Sequence, residues 1–366
     1  MKSRRLASLF PNFAHITPGA APGEMEAQKD ALPTTITVVA YNNEWFEERV
    51  ITDLAEIDAY GDQWKTVWIR VCGYKDVRII SQLGERFRLH PLAMEDVFHT
   101  HQRNKVDHYE DYAFVVAKKA ARSPNLCFEQ VNLFIRKKFL LTFSERPTPL
   151  GDTLINRINV AHGKFRSRGP DYLAYAILDG VIDGYLVTAD SYSHDLEVIE
   201  QEILHSPKAD TIPRLHHLKS EIFGLRSVIW PMRDTITSLR RETEDVISDE
   251  TGVFLRDCQD HTLQLLEVLE SQWQLAASLV QAYLAFQNNR MNEVVKLLTL
   301  VSAIFIPLNF IASIYGMNFN TNHPYNMPEL NWDYGYPAVL ALMSAVALGL
   351  VWFFKRKGWL RNNGGV

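Results

Sequence analysis

The feature that most constrains this chain is an apolar stretch from Val294 to Tyr315, in which Lys296 is the single charged residue. About 20 apolar residues are enough for a helix to cross the ~30 Å hydrocarbon core of a bilayer. The stretch ends at Gly316-Met317-Asn318, and no acidic residue occurs between Val294 and Pro328. It therefore predicts a transmembrane helix, approximately residues 294–315.

One face of this predicted helix is polar or small. Positions spaced alternately three and four residues apart lie on the same face of an α-helix. That face comprises Asn292, Val295, Thr299, Ser302, Ile306, Asn309 and Ser313, and Leu298 lies beside Thr299. A polar face inside a bilayer contacts either another helix or water. We favour water, and hence a pore, although the spacing alone is equally compatible with helix–helix packing.

A second apolar run, residues 336–354, carries no charge and is followed by Lys355-Arg356-Lys357. Loops rich in Lys and Arg stay on the cytoplasmic side of a membrane. Two spans then predict a multi-pass protein of the cell (inner) membrane with both termini cytoplasmic. Residues 316–335 form an external loop in this prediction, and the basic C-terminus, 355–366, is cytoplasmic.

The chain before the first span predicts a soluble α/β domain over residues 34–169. Strands are predicted where β-branched and aromatic residues are concentrated, at 34–41, 66–71, 112–118, 127–135 and 139–143. The last two strands would form a hairpin across Arg136-Lys137-Lys138. Short helices between the strands favour a mixed sheet with flanking helices. Residues 1–33 are expected to be a mobile tail, because their apolar run is too short for a signal peptide.

Long helices are predicted between the α/β domain and the membrane. Residues 170–250 have helical spacing broken near Ser206-Pro207, which predicts a helical hairpin, with a kink expected at Pro231. No Gly or Pro occurs between Gly252 and Pro307. A helix of that extent would be about 80 Å long at ~1.5 Å per residue. We interpret residues 251–315 as a stalk helix that runs into the first span.

Composition and motifs exclude several classes of protein. A net charge of −5 gives no basic excess, so no nucleic-acid partner is expected. Cys72, Cys127 and Cys258 are far apart and form no CxxC motif. The chain has no Walker loop, no GxSxG and no HExxH motif, and we therefore predict that it is not an enzyme.

A cation-binding site is expected at the outer end of the first span. The amide oxygen of Asn318 is an uncharged donor, and amides from several subunits would form a polar ring. Such a ring could hold hydrated Mg²⁺ weakly enough to release it. Glu329 is the first acidic residue outside and could concentrate cations there. The alternative is that Gly316 and Asn318 merely cap the helix, and spacing does not separate the two interpretations.

At Tyr315-Gly316-Met317-Asn318 the chain resembles the CorA family of magnesium and cobalt channels. Further segments of the chain also look like family blocks. They include His90–Asp96, Ile229–Pro231, Met327–Leu330 and Gly335–Pro337. The resemblance extends over roughly residues 85–366.

The resemblance implies a funnel-shaped homopentamer that carries Mg²⁺, and also Co²⁺, into the cell down the membrane potential. The residues matched to the selectivity filter are Gly316, Met317 and Asn318. Asn292, Leu298, Ile306 and Asn309 match pore-lining positions, where Leu298 and Ile306 would be apolar constrictions. The partners that the resemblance implies are further copies of the same chain, membrane lipid and divalent cations.

The resemblance also implies a switch that responds to cytoplasmic Mg²⁺. Asp96 and Asp257 match acidic residues that bind regulatory Mg²⁺ between neighbouring subunits, and Glu95 and Asp179 match a second site nearby. Without the resemblance, Glu95-Asp96 would be interpreted as ordinary acids in the first turn of a helix.

Two departures from the family pattern keep alternatives open. The loop at 319–327 is longer than is usual in the family, and His323 within it adds a softer ligand. The pore face also carries Asn309 and Gln281 where family members often have a hydroxyl and an acid. One alternative function is zinc transport of the related ZntB type, against which Met317 argues. The other is a membrane-anchored structural or sensor protein that moves no ion. Ni²⁺ is a further candidate substrate.

Overall fold

The computed structural model describes residues 31–122, 125–160, 165–241, 246–320 and 325–359. Residues 1–30 of the predicted tail and His323 of the predicted external loop lie outside the described residues. The chain divides into two compact units, one ending at Val280 and the other beginning at Gln281.

The first unit contains a mixed β-sheet, which has seven strands among the described residues. The strands are β1 Thr35–Tyr41, β2 Phe46–Ile51, β3 Thr66–Cys72, β4 Lys105–His108, β5 Ala113–Arg122, β6 Leu126–Ile135 and β7 Phe139–Ser144. Their order is β2-β1-β3-β7-β6-β5-β4, and only β3 and β7 run parallel. The predicted hairpin is confirmed, because β6 and β7 pair antiparallel with Ile135 opposite Leu140.

The sequence prediction missed both edge strands of the sheet. Strand β2 carries Glu47, Glu48 and Arg49 in succession, which hides the alternation expected of a half-buried strand. Charged side chains on an edge strand discourage pairing with another chain, so their presence at this position is physically reasonable. Strand β4 is only four residues long and has a similarly polar sequence.

Five helices and one 3₁₀ turn accompany the sheet in the described part of the first unit. The helices are α1 Val77–Arg86, α2 Pro91–Phe98, α3 Pro149–Val160, α4 Pro170–His205 and α5 Thr211–Arg241, and the turn is Leu54–Ala59. Helix α1 was not predicted; it begins where Asp76 Oδ1 accepts a hydrogen bond from Ile79 N at 3.3 Å. Helix α5 is continuous across Pro231.

Both faces of the sheet are covered, as its apolar strands require. Val67, Ile69 and Val71 of β3 belong to the same buried cluster as Ile80 of α1 and Val97 of α2. Trp68 points to the opposite face and is 2% exposed there, on the side where α3 and α4 pack. Because successive side chains of β3 point to opposite faces, this one strand contributes to the apolar core on each side of the sheet.

Two further helices are α6, Asp249–Tyr315, and α7, Gly335–Arg356, and α6 continues through Pro307 without a break. Among the described residues, α4, α6 and α7 are long and apolar enough to cross a membrane. Within the most apolar 18-residue segment of each helix, 56% of α4 is buried, whereas only 6% of α6 and 6% of α7 is buried. The apolar surface of α4 is therefore used in the core, and that of α6 and α7 is free to contact lipid or other chains.

Candidate ion path and cation sites

The predicted filter, residues 316–318, begins where the backbone hydrogen bonds of α6 end. Gly316 N donates to Ala312 O at 2.9 Å and Met317 N donates to Ile314 O at 3.1 Å. Asn318 lies one residue beyond these bonds and is exposed. Gly316 is not in the left-handed conformation that a glycine cap uses, since among the described residues positive φ occurs only at positions 73, 88, 327 and 358. The simple cap interpretation of this glycine therefore loses its main geometric support.

The predicted pore face of α6 is accessible along its length in the single chain. Val295, Leu298 and Ile306 are 55%, 65% and 66% exposed. Leu297 and Phe310 are just as exposed, at 64% and 66%, so exposure alone does not distinguish one face of the helix from another. The remaining members of the face are exposed or half-buried, namely Asn292, Thr299, Ser302, Asn309 and Ser313.

Thr299 shows how a polar side chain of this face is tolerated in an apolar helix. Its Oγ1 donates to the carbonyl oxygen of Val295 at 2.8 Å. The hydroxyl proton is thereby satisfied within the helix, and the oxygen lone pairs stay available to water or a hydrated ion.

The segment after the filter contains a defined turn. A 3₁₀ turn at Pro328–Asn331 follows Met327, whose φ of 46° lies in the left-handed region. Glu329 sits exposed in this turn, and its carbonyl oxygen lies where a side chain on Gly335 would begin. Gly335 is thus required for the close approach of the turn to the start of α7, and this approach fixes the backbone of Glu329.

Asp96 is already paired inside its own chain. Its Oδ2 lies 2.7 Å from Lys105 Nζ, and its Oδ1 accepts a hydrogen bond from Gln102 Nε2 at 2.7 Å. Lys105 Nζ also lies 2.6 Å from Asp107 Oδ2. Burial acts to lower the pKa of Lys105, but the two carboxylates outweigh it and the pKa is raised.

Glu95 and Asp96 are not first-turn acids, so that alternative interpretation is wrong. Helix α2 begins at Pro91, with His90 Nδ1 accepting from Leu92 N at 3.2 Å, and its first turn contains no acid. Glu95 Oε1 instead lies 3.7 Å from Nδ1 of His99, one turn further on. Both acids therefore lie in the second half of α2, where the helix dipole does not favour them.

Asp179 of α4 contacts Cys258, the residue that follows Asp257 in α6. Asp179 on α4 accepts from Cys258 Sγ at 3.6 Å. Asp257, next to Cys258 on α6, is 64% exposed, and its Oδ2 lies 4.0 Å from His261 Nε2. Burial, together with the charge of Asp183, raises the pKa of Asp179. Burial and the nearby Asp179 also raise the pKa of the Cys258 thiol.

The four acids do not form a metal site within one chain. Asp96 and Asp257 share no contact in the described part of the chain, and there no three His, Cys, Asp or Glu residues are arranged to hold a metal ion. Sequence reasoning assigned no role to Gln102, Lys105 or Asp107. The only signal for them is a further segment that resembles a CorA family block, His101-Gln102-Arg103, which contains Gln102 and lies just before Lys105 and Asp107.

A protein-family model and a relative of similar length both match this chain over most of its residues. A family model described as CorA-like Mg²⁺ transporter protein matches residues 65–356. The chain is 38% identical over 328 residues to the cobalt/magnesium transport protein CorA of Thermotoga maritima, which covers 89% of this chain and 92% of that protein.

Two solved structures share the fold. The CorA magnesium transporter from Methanocaldococcus jannaschii matches with a TM-score of 0.74 at 21% identity, over 89% of this chain and 98% of that one. The cytoplasmic domain of ZntB from Vibrio parahaemolyticus matches with a TM-score of 0.55 at 12% identity, over 71% of this chain and 100% of that one.

The family match covers most of the chain, including α6, the filter segment and all of α7. The relative from Thermotoga maritima is matched over nearly its whole length as well. The chain therefore belongs to the CorA-like Mg²⁺ transporter family.

Proposed function

We propose that this protein is a homopentameric channel that admits Mg²⁺ across the cell (inner) membrane down the membrane potential, under control of cytoplasmic Mg²⁺. Co²⁺ is a second substrate in this proposal. The observation that carries it is the nearly full-length match to a cobalt/magnesium transport protein at 38% identity. The proposed function is transport, with no catalysed reaction.

The need for several copies follows from the number of spans. Two helices in one chain cannot enclose a pore, so copies must place α6 around a common axis. The apolar windows of α6 and α7 are almost wholly uncovered in the single chain. One face of α6 can then line the pore, and its other faces can contact α7, neighbouring copies and lipid.

The proposed filter is a ring of Gly316, Met317 and Asn318 at the outer end of α6. Neutral amide oxygens suit a cation that loses its water reluctantly, because they can bind it through its hydration shell. The acid-free stretch from Val294 to Pro328 supports this mode of binding, since no carboxylate is present to hold the ion tightly. Glu329 would raise the local cation concentration outside the filter.

The proposed orientation places the basic end of α7 in the cytoplasm. Arg356 lies over the ring of Trp352 at 5.4 Å, and Phe354 stacks on Trp359 at 5.6 Å. Aromatic and basic residues combined in this way are typical of a membrane–water interface. The segment from Gly316 to Gly335 then lies outside the cell.

The proposed switch uses carboxylates of adjacent subunits. Mg²⁺ bound between Asp96 of one subunit and Asp257 of the next, with Glu95 and Asp179 nearby, would hold the closed state. When cytoplasmic Mg²⁺ falls, the like charges repel and the closed state loses this stabilisation. The exposure of Asp257 supports a role at a contact between copies.

Ion flux into proteoliposomes tests the conduction pathway. We expect the wild-type chain to take up Mg²⁺, Asn318→Ala to abolish uptake, and Asn331→Ala, an asparagine of the following 3₁₀ turn, to retain it. Uptake of Zn²⁺ without Mg²⁺ would support transport of the ZntB type instead. Absence of any flux through the wild-type protein would favour a non-conducting anchor or sensor.

Protease protection tests the switch separately. Mg²⁺ should slow digestion of the wild-type protein in detergent, and Asp257→Ala should require more Mg²⁺ for the same protection. Equal Mg²⁺ dependence of the two proteins would contradict the regulatory role of Asp257 while leaving the conduction proposal intact.

A further inference from the structure

The ammonium group of Lys105 lies between two carboxylates, 2.7 Å from Asp96 Oδ2 and 2.6 Å from Asp107 Oδ2. The side chain of Asp96 is only 16% exposed and that of Lys105 only 24%. Water therefore screens this pair less than it would screen a pair on the open surface. Asp96, proposed as a ligand for regulatory Mg²⁺, already has a cation of its own chain beside it.

The carboxylate of Asp96 is held in place from its other side. Gln102 Nε2 donates to Oδ1 of Asp96, and Gln130 Nε2 donates to the backbone carbonyl oxygen of Asp96 at 2.9 Å. The backbone N of Gln102 in turn donates to Gln130 Oε1 at 3.2 Å. These bonds do not involve Lys105, so Asp96 keeps its position whether or not the ammonium group stays next to it.

Lys105 is presented to Asp96 by a fixed piece of backbone. Its neighbour Asn104 is 2% exposed and bonded on both sides, to Val228 O and to Lys118 N, each at 2.7 Å. Lys105 itself begins β4 and is paired with Val116 of β5. The backbone is therefore anchored, and the flexible four-carbon side chain is the part that can move.

We propose that Lys105 is a built-in competitor of regulatory Mg²⁺: its ammonium group occupies Asp96 when Mg²⁺ is scarce and must be displaced when Mg²⁺ binds. Lys105 thereby sets the Mg²⁺ concentration at which the switch closes. This inference rests on the proposed function, in which Asp96 is a ligand of regulatory Mg²⁺.

The chemistry of the two cations supports competition over sharing. An ammonium group has three donors and no lone pair, so it cannot be a ligand for Mg²⁺. Two cations within hydrogen-bonding distance of one carboxylate repel each other. Asp107 gives the displaced ammonium group a second partner that it already contacts, so displacement breaks one of two ion pairs and leaves the other.

The test measures the Mg²⁺ midpoint of protease protection for the full-length protein. We expect Lys105→Met to lower the midpoint by about two- to fivefold, at the upper part of the range for one ion pair near the surface. Lys105→Arg keeps the charge and should not lower it. Lys119→Met is the control on β5, because Lys119 is a similarly half-buried lysine that pairs with an acid outside the proposed site, Glu129 at 3.8 Å, and its midpoint should match wild type.

A second variant predicts the opposite sign. Asp107→Asn removes the alternative partner of the ammonium group, so Lys105 should stay at Asp96 and the midpoint should rise. An unchanged midpoint in Lys105→Met, or a rise in that variant, would overturn the competition.

Asp96→Asn separates this failure from failure of the proposed function. If Asp96→Asn raises the midpoint but Lys105→Met leaves it unchanged, the regulatory role of Asp96 stands and the competition is wrong. If Asp96→Asn leaves the midpoint unchanged, the regulatory role of Asp96 fails, and the competition fails with it.

Discussion

Gly73 is a residue at which the surrounding backbone leaves no room for a side chain. It follows β3 with a φ of +82°, and a side chain would begin 2.7 Å from the carbonyl oxygen of Leu32 and closer still to that of Pro33. Both obstacles are backbone atoms, which cannot rotate away. Its own N–H donates to Ser144 O at 2.9 Å, so this residue also connects the ends of β3 and β7.

We expect Gly73→Ala to lower the free energy of unfolding by about 2 kcal/mol or more, since the left-handed conformation alone costs an L-residue about 1–2 kcal/mol. Thermal unfolding of the full-length protein in detergent measures this as a lower Tm. Gly61→Ala is the control, because a side chain there would meet open space at an ordinary φ. Equal Tm values for the two variants would contradict the prediction.

Asn104 is a second residue whose role is visible only in the fold. Its side chain joins α5, through Val228 O, to β5, through Lys118 N. We expect Asn104→Leu to cost about 1–3 kcal/mol, because a buried N–H loses its acceptor. Asn159→Leu, at an exposed position of α3, should stay within about 0.5 kcal/mol of wild type in the same Tm measurement. A loss no larger than that of the control would contradict the role of Asn104.

At the scale of elements, Asp171 joins the start of α4 to the segment that leads into α6. Its Oδ2 accepts from Ser248 N at 3.1 Å and from Ser248 Oγ at 2.6 Å, and the residue is 8% exposed. Burial acts to raise the pKa of Asp171, but the hydrogen bonds from Ser248 and Thr251 outweigh it and lower the pKa. The ionised form is therefore the one that stabilises this junction.

The lowered pKa gives a stability that depends on pH. The contribution of Asp171 is present above its unfolded pKa of about 3.9 and is lost as the pH falls through the lower, folded pKa. We expect Asp171→Asn to cost about 1–3 kcal/mol at pH 7 and progressively less below about pH 4. Asp152→Asn is the control, because Asp152 is 67% exposed in its pair with Arg70. A Tm difference from wild type that is independent of pH would argue against this origin.

Elements with a strong local pattern could be predicted from the sequence, and those without one could not. Strand β1 and the β6–β7 hairpin are dense in β-branched and aromatic residues, so their pattern survives in isolation. Strands β2 and β4 are polar edges whose pairing is decided by their neighbours in the sheet. The pairing of Lys105 with Asp96 was invisible for the same reason, because it depends on where β4 lies beside α2.

Some residues of the candidate site could likewise be predicted from a local sequence pattern, and others could not. The apolar stretch, its polar face and the Gly316-Met317-Asn318 segment are local patterns, and a single sequence displays them. The roles assigned to Asp96 and Asp257 came from family resemblance, because carboxylates on separate elements carry no local signature of a shared ion. Within one chain the two acids share no contact among the described residues. The proposed Mg²⁺ site that links Asp96 and Asp257 requires a contact between two copies of the chain.

Across the whole chain, hydropathy and burial agree on which two described helices are the candidate membrane spans. Helix α4 is long enough to cross a membrane, but its most apolar segment is clearly less apolar than those of α6 and α7 and is more than half buried, whereas theirs are almost wholly uncovered. A soluble protein would not leave two such helices uncovered. In the proposed channel, the uncovered faces of α6 are divided among the bilayer, α7, other copies and a pore.

The proposed division of faces can be tested with two residues of α6 that are exposed alike. Ile306 and Leu297 are 66% and 64% exposed. They are nine positions apart, so at about 100° per residue they project from opposite sides of the helix. In the proposed pentamer, Ile306 points at the axis, where it would form an apolar constriction that excludes water, and Leu297 points away from it.

We expect Ile306→Ala to widen this constriction and to raise Mg²⁺ flux into proteoliposomes when Mg²⁺ on the cytoplasmic side is high and the wild-type channel is closed. Leu297→Ala removes a similar apolar volume from the opposite side and should leave the closed-state flux near wild type. A fluorescent Mg²⁺ indicator trapped in the vesicles measures both. If Leu297→Ala leaks and Ile306→Ala does not, the pore lies along the other side of α6, and Thr299 and Asn309 face a neighbouring helix.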